Sequence, residues 1–364
     1  MIFDMFDQAR FQESRKISTS ELMDERLEYV CEVDELGYGT YWSSEHHPVA
    51  SHPVTIPNLF LAAAARATAR IRLGVMCTVL PLHHPIRVAE ETALLDHLSH
   101  GRFSLGVGRG VGKHEFDKWA MPMEDTQEIF DEHLRALEVL FGGAGPKSFE
   151  GRYYRFRDFE LMPSEWVQRP HVPIYVASVS ASSLRMAARK RLPIVSIFKT
   201  LDDEASFAAS YRSAWREFHG ERQPPVIGTS KIILVAETDS EARNRMKGPL
   251  TAQMARFIKG GVPTLEEYEH TKGLDKAYDR ATYRRLVDQF EERSFEQLVR
   301  DGLVIAGSPD TCIRMIGEIE AAGYGRFVLS PFIGEMSLEY SYETTRRFAE
   351  QILPRFGVRD RPAA

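Results

Sequence analysis

Short apolar runs alternate with longer stretches of helical periodicity along most of the chain. The runs favour strands, and the stretches that follow them have apolar positions three or four residues apart, which favours amphipathic helices. The predicted strands are residues 2–6, 39–43, 71–80, 103–107, 172–177, 193–198, 226–236 and 326–330. Strands that alternate with helices form a parallel sheet, and eight of them close a barrel. The pattern predicts an α/β fold, a (β/α)8 TIM barrel, with an open doubly wound sheet as the alternative.

The alternation breaks between about residues 254 and 302. This stretch is charged, has helical periodicity and contains Gly260, Gly261 and Gly273 as breakers. An insertion of this length between strands 7 and 8 is typical of a lid over a substrate, and a peripheral helical decoration is the alternative. A small hairpin is predicted around Gly151. The whole chain, residues 1–364, is predicted to form a single domain.

Composition excludes several classes of protein. Apolar residues make up 43% and charged residues 27% of the 364 residues, which is a normal globular balance. The net charge of −6 offers no basic surface for nucleic acid or an anionic membrane. Three widely spaced cysteines argue for a reducing compartment and against a disulfide framework. With no secretory signal pattern and no membrane-length apolar run, the cytoplasm is the expected location.

One candidate site follows the second predicted strand, where Glu45, His46 and His47 stand together. Barrel active sites lie at the carboxyl ends of strands, and an imidazole exchanges protons near neutrality. Because neighbours in an extended segment point to opposite sides, only one of the two histidines should face the mouth. A zinc site that adds His83 or His84 is the alternative.

A second candidate site suits a phosphate group. Arg109 stands in the glycine-rich turn 106–110 after the fourth strand, where it could bind phosphate with two parallel hydrogen bonds. Residues 178–182, SVSAS, follow the fifth strand and open a helix, whose amino-terminal N–H groups bind anions. Ordinary helix capping by Ser180 is the alternative. Met76 and Cys77 end the third strand and would be core residues on pattern alone.

Several of these segments together resemble the bacterial luciferase family of flavin-dependent monooxygenases, which have a TIM-barrel fold. The resemblance covers most of the chain in order. Its motifs are residues 41–47 (YWSSEHH), 73–81 (LGVMCTVLP), 95–103 (LDHLSHGRF), 108–110 (GRG), 172–178 (VPIYVAS) and 307–309 (GSP).

The resemblance implies a role for each matched residue. His46 matches the catalytic histidine near the flavin ring, and Arg109 matches an arginine that holds the flavin phosphate. Met76 and Cys77 match a non-prolyl cis peptide that packs against the flavin. Gly108 replaces a reactive cysteine of luciferase itself, which favours a non-luminescent oxygenase. The full set implied for cofactor binding is Glu45, Met76, Cys77, Gly108, Arg109, Ser178, Val179 and Ser180.

The activity implied by this resemblance is that of a two-component monooxygenase. A separate NAD(P)H-dependent flavin reductase would supply reduced FMN, and O2 would form a C4a-peroxyflavin that oxygenates a small organic substrate such as an aldehyde or ketone. The alternatives are a hydride transferase that uses the deazaflavin F420 and a non-catalytic flavin-binding protein. No metal is expected. A homodimer through the alanine-rich second helix, residues 61–69, and the third helix is also implied, and core packing of the same small residues is the alternative.

Overall fold

The computed structural model describes residues 1–12, 14–49, 51–110, 112–178, 180–260 and 293–357. Its strands are β1 Ile2–Asp7, β2 Thr40–Ser43, β3 Arg72–Val79, β4 Phe103–Gly108, β5 Lys147–Glu150, β6 Arg155–Phe159, β7 Ile174–Ser178, β8 Ile194–Ser196, β9 Gly228–Val235, β10 Val304–Gly307 and β11 Arg326–Ser330. Its helices are α1 Thr19–Glu35, α2 Pro57–Ala67, α3 Pro85–Leu98, α4 Lys113–Lys118, α5 Thr126–Phe141, α6 Ala181–Lys190, α7 Leu201–His219, α8 Asp239–Gly260, α9 Phe295–Arg300, α10 Pro309–Ala321 and α11 Leu338–Arg347. Short helical turns cover Leu80–Leu82, Met123–Asp125 and Phe348–Phe356.

The parallel strands close into a barrel in the order β1–β2–β3–β4–β7–β8–β9–β11. Closure is direct, because β11 pairs with β9 on one side and with β1 on the other. β9 also joins β8 to β11, since Gly228 of β9 pairs with both Val195 of β8 and Arg326 of β11. The predicted eight-stranded barrel is confirmed, and the open sheet is wrong.

One strand was missed by the sequence pattern. β10 pairs with β9 from Ile232 to Val235, beyond the point where β8 ends at Ser196. It therefore pairs with the same edge of β9 as β8 does, nearer the carboxyl end of β9, and lies outside the closed ring. β10 directly follows the charged stretch that the pattern assigned to an insertion, and no strand was predicted there. The hairpin predicted around Gly151 is confirmed, with β5 and β6 antiparallel.

Local signals explain where the helices begin. Ser18 and Glu21 form a reciprocal capping box at the start of α1. Pro57 and Pro85 occupy the first positions of α2 and α3, where a missing N–H costs nothing. Helix α8 continues past Pro249, which lies inside it. Leu250 and Met254 are buried, and this burial offsets the roughly 3 kcal/mol cost of an internal proline.

Buried polar and aromatic side chains join β1, β2 and β11. Trp42 donates a hydrogen bond to Asp4 Oδ2 at 2.9 Å, and Arg326 donates to the same oxygen. Gly74 on β3 must be glycine, because a Cβ there would lie 2.4 Å from the Trp42 ring.

The ends of the predicted insertion pack on the barrel. Phe295 and Leu298 of α9 are buried in one cluster with Leu250 of α8 and Val304 of β10. Residues 261–292, which form the greater part of the predicted lid, lie outside the described residues. Among the helices described, none is both long and apolar enough to cross a bilayer.

Candidate functional site

The sequence-predicted site residues lie at the carboxyl ends of four neighbouring strands. Glu45 and His46 follow β2, Cys77 lies near the end of β3, Arg109 follows β4, and Ser180 lies just after β7. Because these strands are consecutive in the ring, one sector of the mouth holds them all. Val179 lies outside the described residues.

Glu45 is a buried junction between the β2 and β3 ends. Its Oε1 accepts hydrogen bonds from His47 Nε2 at 2.9 Å and from His83 Nε2 at 2.6 Å. Its Oε2 accepts the Val79 N–H at 3.1 Å. These contacts hold the Glu45 segment against the end of β3. Cofactor binding by Glu45 itself stays a prediction.

The charges at this junction support each other. Burial alone would raise the pKa of Glu45, but the hydrogen bonds from His47 and His83 outweigh it and lower that pKa to about 2. Burial likewise opposes the charged form of His83, yet the Glu45 carboxylate raises the pKa of His83. The pair therefore holds an ionised carboxylate at neutral pH.

His46 contacts a different carboxylate. Its Nδ1 lies 3.2 Å from Oε1 of Glu115, on the short helix α4. The same oxygen accepts the backbone N–H of His47 at 2.7 Å. The His52 ring packs against His46, with 4.7 Å between ring centroids. His46 thus lies between a carboxylate and an aromatic ring.

Sequence reasoning missed Glu115. Helix α4 has six residues, too few for helical periodicity to show. The contact joins residues 69 positions apart, so no local pattern encodes it. The one available signal was a carboxylate that closely follows the glycine-flanked Arg109 at a strand end.

The ends of β3 and β4 approach unusually closely. The structure contains the non-prolyl cis peptide between Met76 and Cys77 that the family resemblance implied. A Cβ on Gly106 would lie 2.2 Å from the Val75 carbonyl oxygen, and one on Gly108 would lie 2.2 Å from Cys77 Sγ. Both positions therefore require glycine. Burial raises the pKa of Cys77 to about 12, so its thiol is not a nucleophile at neutral pH.

Arg109 and Ser180 provide hydrogen-bond donors suited to an anion. Arg109 donates from Nη1 to Thr126 Oγ1 at 2.9 Å, which steadies the guanidinium at the start of α5. Ser180 is the N-cap of α6 and accepts the Ser183 N–H at 3.2 Å. The capping alternative is therefore correct for the Ser180 side chain, and the first N–H groups of α6 add a further anion-binding feature.

A separate cavity of about 640 Å³ is lined by parts of α1 and α11 and contains none of the predicted site residues. Its two arginines, Arg15 and Arg346, are already paired with Glu25 and Glu32. Further glutamates line it and disfavour a phosphate. Over the described parts of the chain, no group of three or more His, Cys, Asp or Glu residues is arranged to hold a metal ion.

This fold defines an α/β barrel of the TIM type, and its candidate site residues lie together at the ends of β2, β3, β4 and β7. The chain belongs to the luciferase-like monooxygenase family, whose model matches residues 1–326. It is accordingly a luciferase-like, flavin-dependent oxidoreductase.

Three comparisons illustrate the relationship. The 4-hydroxyprotoasukamycin monooxygenase of Streptomyces nodosus subsp. asukaensis is 27% identical over 338 residues, covering 89% of this chain and 84% of the relative. Monooxygenase RslO1 from Streptomyces bottropensis superposes with a TM-score of 0.77 at 26% identity, covering 98% of this chain and 100% of that one. The oxygenating constituent of 3,6-diketocamphane monooxygenase from Pseudomonas putida, in complex with FMN, has a TM-score of 0.78 at 22% identity, covering 98% of each chain. That last likeness shows the fold alone.

Proposed function

We propose that the protein is the oxygenase of a two-component system that uses reduced FMN and O2 to oxygenate a small organic substrate such as an aldehyde or ketone. One observation carries the proposal: phosphate donors after β4 and β7 share a sector of the mouth with His46 after β2. An FMN-dependent site needs groups that bind the FMN phosphate and a group that transfers protons.

The donors present fit the phosphate of FMN. A guanidinium and the amino terminus of a helix each bind a dianion well, one by paired hydrogen bonds and one by aligned N–H groups. We infer that Arg109 and the start of α6, capped by Ser180, hold this phosphate. The closely packed ends of β3 and β4 at Cys77 and Gly108 would offer the flavin ring a wall of backbone and small side chains.

Reduced FMN, when bound, supplies the electrons that activate O2. The protein's own part is binding, orientation and proton transfer. Since Nδ1 of His46 contacts Glu115, Nε2 is the ring atom available to give a proton to the reacting groups or to take one.

An apolar rim favours an organic substrate. Trp119 ends α4 and lies edge-on to His47, with 5.3 Å between ring centroids, and it is 49% exposed. An exposed tryptophan beside the mouth suits apolar groups on a substrate. The partner that supplies reduced FMN would be an NAD(P)H-dependent flavin reductase, because a 26% identical relative from Acinetobacter baylyi is the oxygenase component of a flavin-dependent trigonelline monooxygenase.

Two further features complete the proposal. Ile56, Leu59 and Leu94 on or beside α2 and α3 are large, apolar and exposed, which supports a homodimer through these helices. The three cysteines are free thiols, as a reducing compartment such as the cytoplasm favours.

The decisive experiment has two stages. Oxidised and reduced FMN are first titrated into the protein, and flavin fluorescence and absorbance are followed. Oxygen uptake with excess reduced FMN is then screened over aldehydes and ketones. Substrate-dependent formation of an oxygenated product supports the proposal. Coenzyme F420-dependent enzymes also have this fold, at 18% and 15% identity. Hydride transfer with F420 in place of oxygen uptake would therefore favour that alternative, and stoichiometric FMN without turnover would favour a non-catalytic flavin-binding protein.

Variants separate binding from chemistry. Arg109→Ala should weaken FMN binding about 10- to 100-fold, because a charge-assisted bond to phosphate contributes about 1.5–3 kcal/mol. Arg135→Ala, on the exposed side of α5, is the matched control. His46→Ala should keep FMN affinity within about 3-fold while turnover falls about 100-fold or more. Equal FMN affinity in Arg109→Ala and Arg135→Ala would contradict the proposed phosphate site.

A further inference from the structure

We infer that Glu115 is a positioning residue for His46, which fixes the ring with its proton on Nδ1 and leaves Nε2 for proton exchange with the reacting groups. The inference rests on the proposed function. It assigns a residue that neither the family resemblance nor the sequence pattern identified.

The geometry of the contact supports this role. Oε1 of Glu115 lies 3.2 Å from His46 Nδ1 and accepts the His47 N–H at 2.7 Å. The N–H of His47 can only donate, so this oxygen already acts as an acceptor. A neutral imidazole has one protonated nitrogen, and an acceptor oxygen selects the form with the proton on Nδ1.

Burial keeps this carboxylate in place. Glu115 is 5% exposed. Burial raises its pKa, but the hydrogen bonds from His46 and from the His47 N–H outweigh it and lower that pKa below the ordinary value. Glu115 is therefore ionised at neutral pH and acts as an acceptor towards His46.

The other charged and titratable groups around His46 do not replace Glu115. His52 packs on the ring, and burial with the nearby His46 and Arg10 lowers the pKa of His52 to about 2, so it remains neutral. Arg10 donates from Nε to His52 Nε2 at 2.9 Å and lies behind that ring. His114 directly precedes Glu115 on α4 and helps to lower the pKa of the Glu115 carboxyl.

A histidine positioned in this way gains in two respects. The ring orientation no longer varies, and the anion stabilises the imidazolium that forms when Nε2 takes a proton. Helix α4 is thus a support for the catalytic histidine, because its Glu115 fixes both the His46 ring and the His47 backbone.

The first test uses the wild-type protein without flavin. Nitrogen NMR of histidine-labelled protein distinguishes the two neutral forms of an imidazole, and the His46 signals are assigned by their loss in His46→Gln. We expect the Nδ1-protonated form. An Nε2-protonated ring, or an equal mixture, overturns the inference whatever the enzyme's activity.

The second test compares Glu115→Gln with Asp117→Asn. Glutamine keeps an acceptor for the His47 N–H but removes the charge, whereas Asp117 is an exposed carboxylate on the same helix, paired with Lys113. We expect Glu115→Gln to lower kcat about 10- to 100-fold, part of what general acid–base catalysis contributes. The change should leave FMN affinity and the substrate KM within about 3-fold.

The split between kcat and KM is the readout that a general loss of structure would not reproduce, and Asp117→Asn should change neither. A folded Glu115→Gln protein with the same kcat as Asp117→Asn overturns the inference. Absence of oxygen uptake in the wild type would instead contradict the proposed function, and the NMR result would still stand.

Discussion

Replacement of Glu45 by glutamine should destabilise the fold, because Glu45 joins the β2 and β3 ends of the mouth. The carboxylate is 4% exposed and accepts hydrogen bonds from His47, His83 and the Val79 backbone. Glutamine preserves the shape of the side chain but has one acceptor oxygen and no charge. The change therefore removes the ionic part of the junction with little effect on packing.

The size of the effect follows from the pKa of Glu45. The pKa of Glu45 is lowered from 4.5 to about 2 in the folded protein. At 1.36 kcal/mol per pKa unit, folding therefore favours the ionised form by about 3 kcal/mol. We expect Glu45→Gln to lower the free energy of unfolding at pH 7 by about this amount. A loss of this size is a large fraction of the 5–15 kcal/mol that is typical of native proteins.

The dependence on pH has a defined sign. The pKa of Glu45 is lower in the folded state, so its stabilisation is fully present above the unfolded value of 4.5 and is lost as pH falls through about 2. Roughly half should be gone by pH 3. His83 behaves oppositely, because its folded pKa is raised above 6.5, so its contribution is present below 6.5 and is lost as pH rises through the folded value. The junction as a whole should be strongest between pH 4.5 and 6.5.

Urea unfolding followed by tryptophan fluorescence measures this difference from pH 7 down to pH 3. Glu90→Gln is the control, since Glu90 forms only an exposed pair with Arg87 and should change stability by less than about 0.5 kcal/mol. The reasoning is refuted if Glu45→Gln matches this control at pH 7, or if its deficit is as large at pH 3 as between pH 4.5 and 6.5.

Three other substitutions test a close packing contact, a buried ion pair and the proposed dimer interface. Gly108→Ala should cost about 1–3 kcal/mol in urea unfolding, because its Cβ would lie 2.2 Å from Cys77 Sγ; addition of Cys77→Ala should recover most of that loss, and no recovery would contradict the clash. Lys231→Met should cost about 3–5 kcal/mol, since Lys231 and Glu204 form an ion pair at 2.9 Å with both side chains 1% exposed; the double variant with Glu204→Leu should be more stable than Lys231→Met, and a further loss would contradict the cost assigned to the unpaired carboxylate. Leu59→Arg should convert the proposed dimer to a monomer in sedimentation without changing Tm, because Leu59 is 70% exposed; an unchanged sedimentation coefficient would exclude α2 from the interface.

The sequence predicted the barrel because its strands are short, apolar and regularly spaced. The place of the candidate site in the barrel then followed from a general rule, because residues at the carboxyl ends of the strands meet at one mouth. The segments at residues 43–47 and 106–110 were identified in this way. Strand 326–330 was predicted with the bounds of β11, because its three central residues form an apolar run, FVL, between Arg326 and Ser330.

The features that were missed depend on contacts between distant parts of the chain. The β10 strand is stabilised by pairing with β9, some 70 residues earlier. Glu115 meets His46 only after β2 and β4 are in place. Glycine is needed at positions 106 and 108 because atoms of β3 lie too close for a side chain there. The periodicity of residues along β4 carries no information about that contact. Local propensity thus predicts elements, whereas side-chain partners across strands require the fold.

The adjacent histidines give the sharpest test of how the mouth is organised. Alternation along an extended segment predicted that only one of them would face the mouth. The structure assigns each a different carboxylate: His47 bonds to Glu45 and is 13% exposed, whereas His46 contacts Glu115 and is 34% exposed. His47 therefore belongs to the buried junction, and His46 remains accessible to a substrate.

Glutamine substitutions at the two positions should then have opposite effects. His47→Gln should lower stability by about 1–3 kcal/mol, the cost of a weakened buried bond to a charged group, and should reduce kcat less than about 5-fold. His46→Gln should leave Tm nearly unchanged and reduce kcat about 100-fold or more. Thermal unfolding and oxygen uptake on the same preparations measure both. If His47→Gln is the variant that abolishes turnover in a protein of normal stability, the roles of the two histidines are the reverse of those proposed.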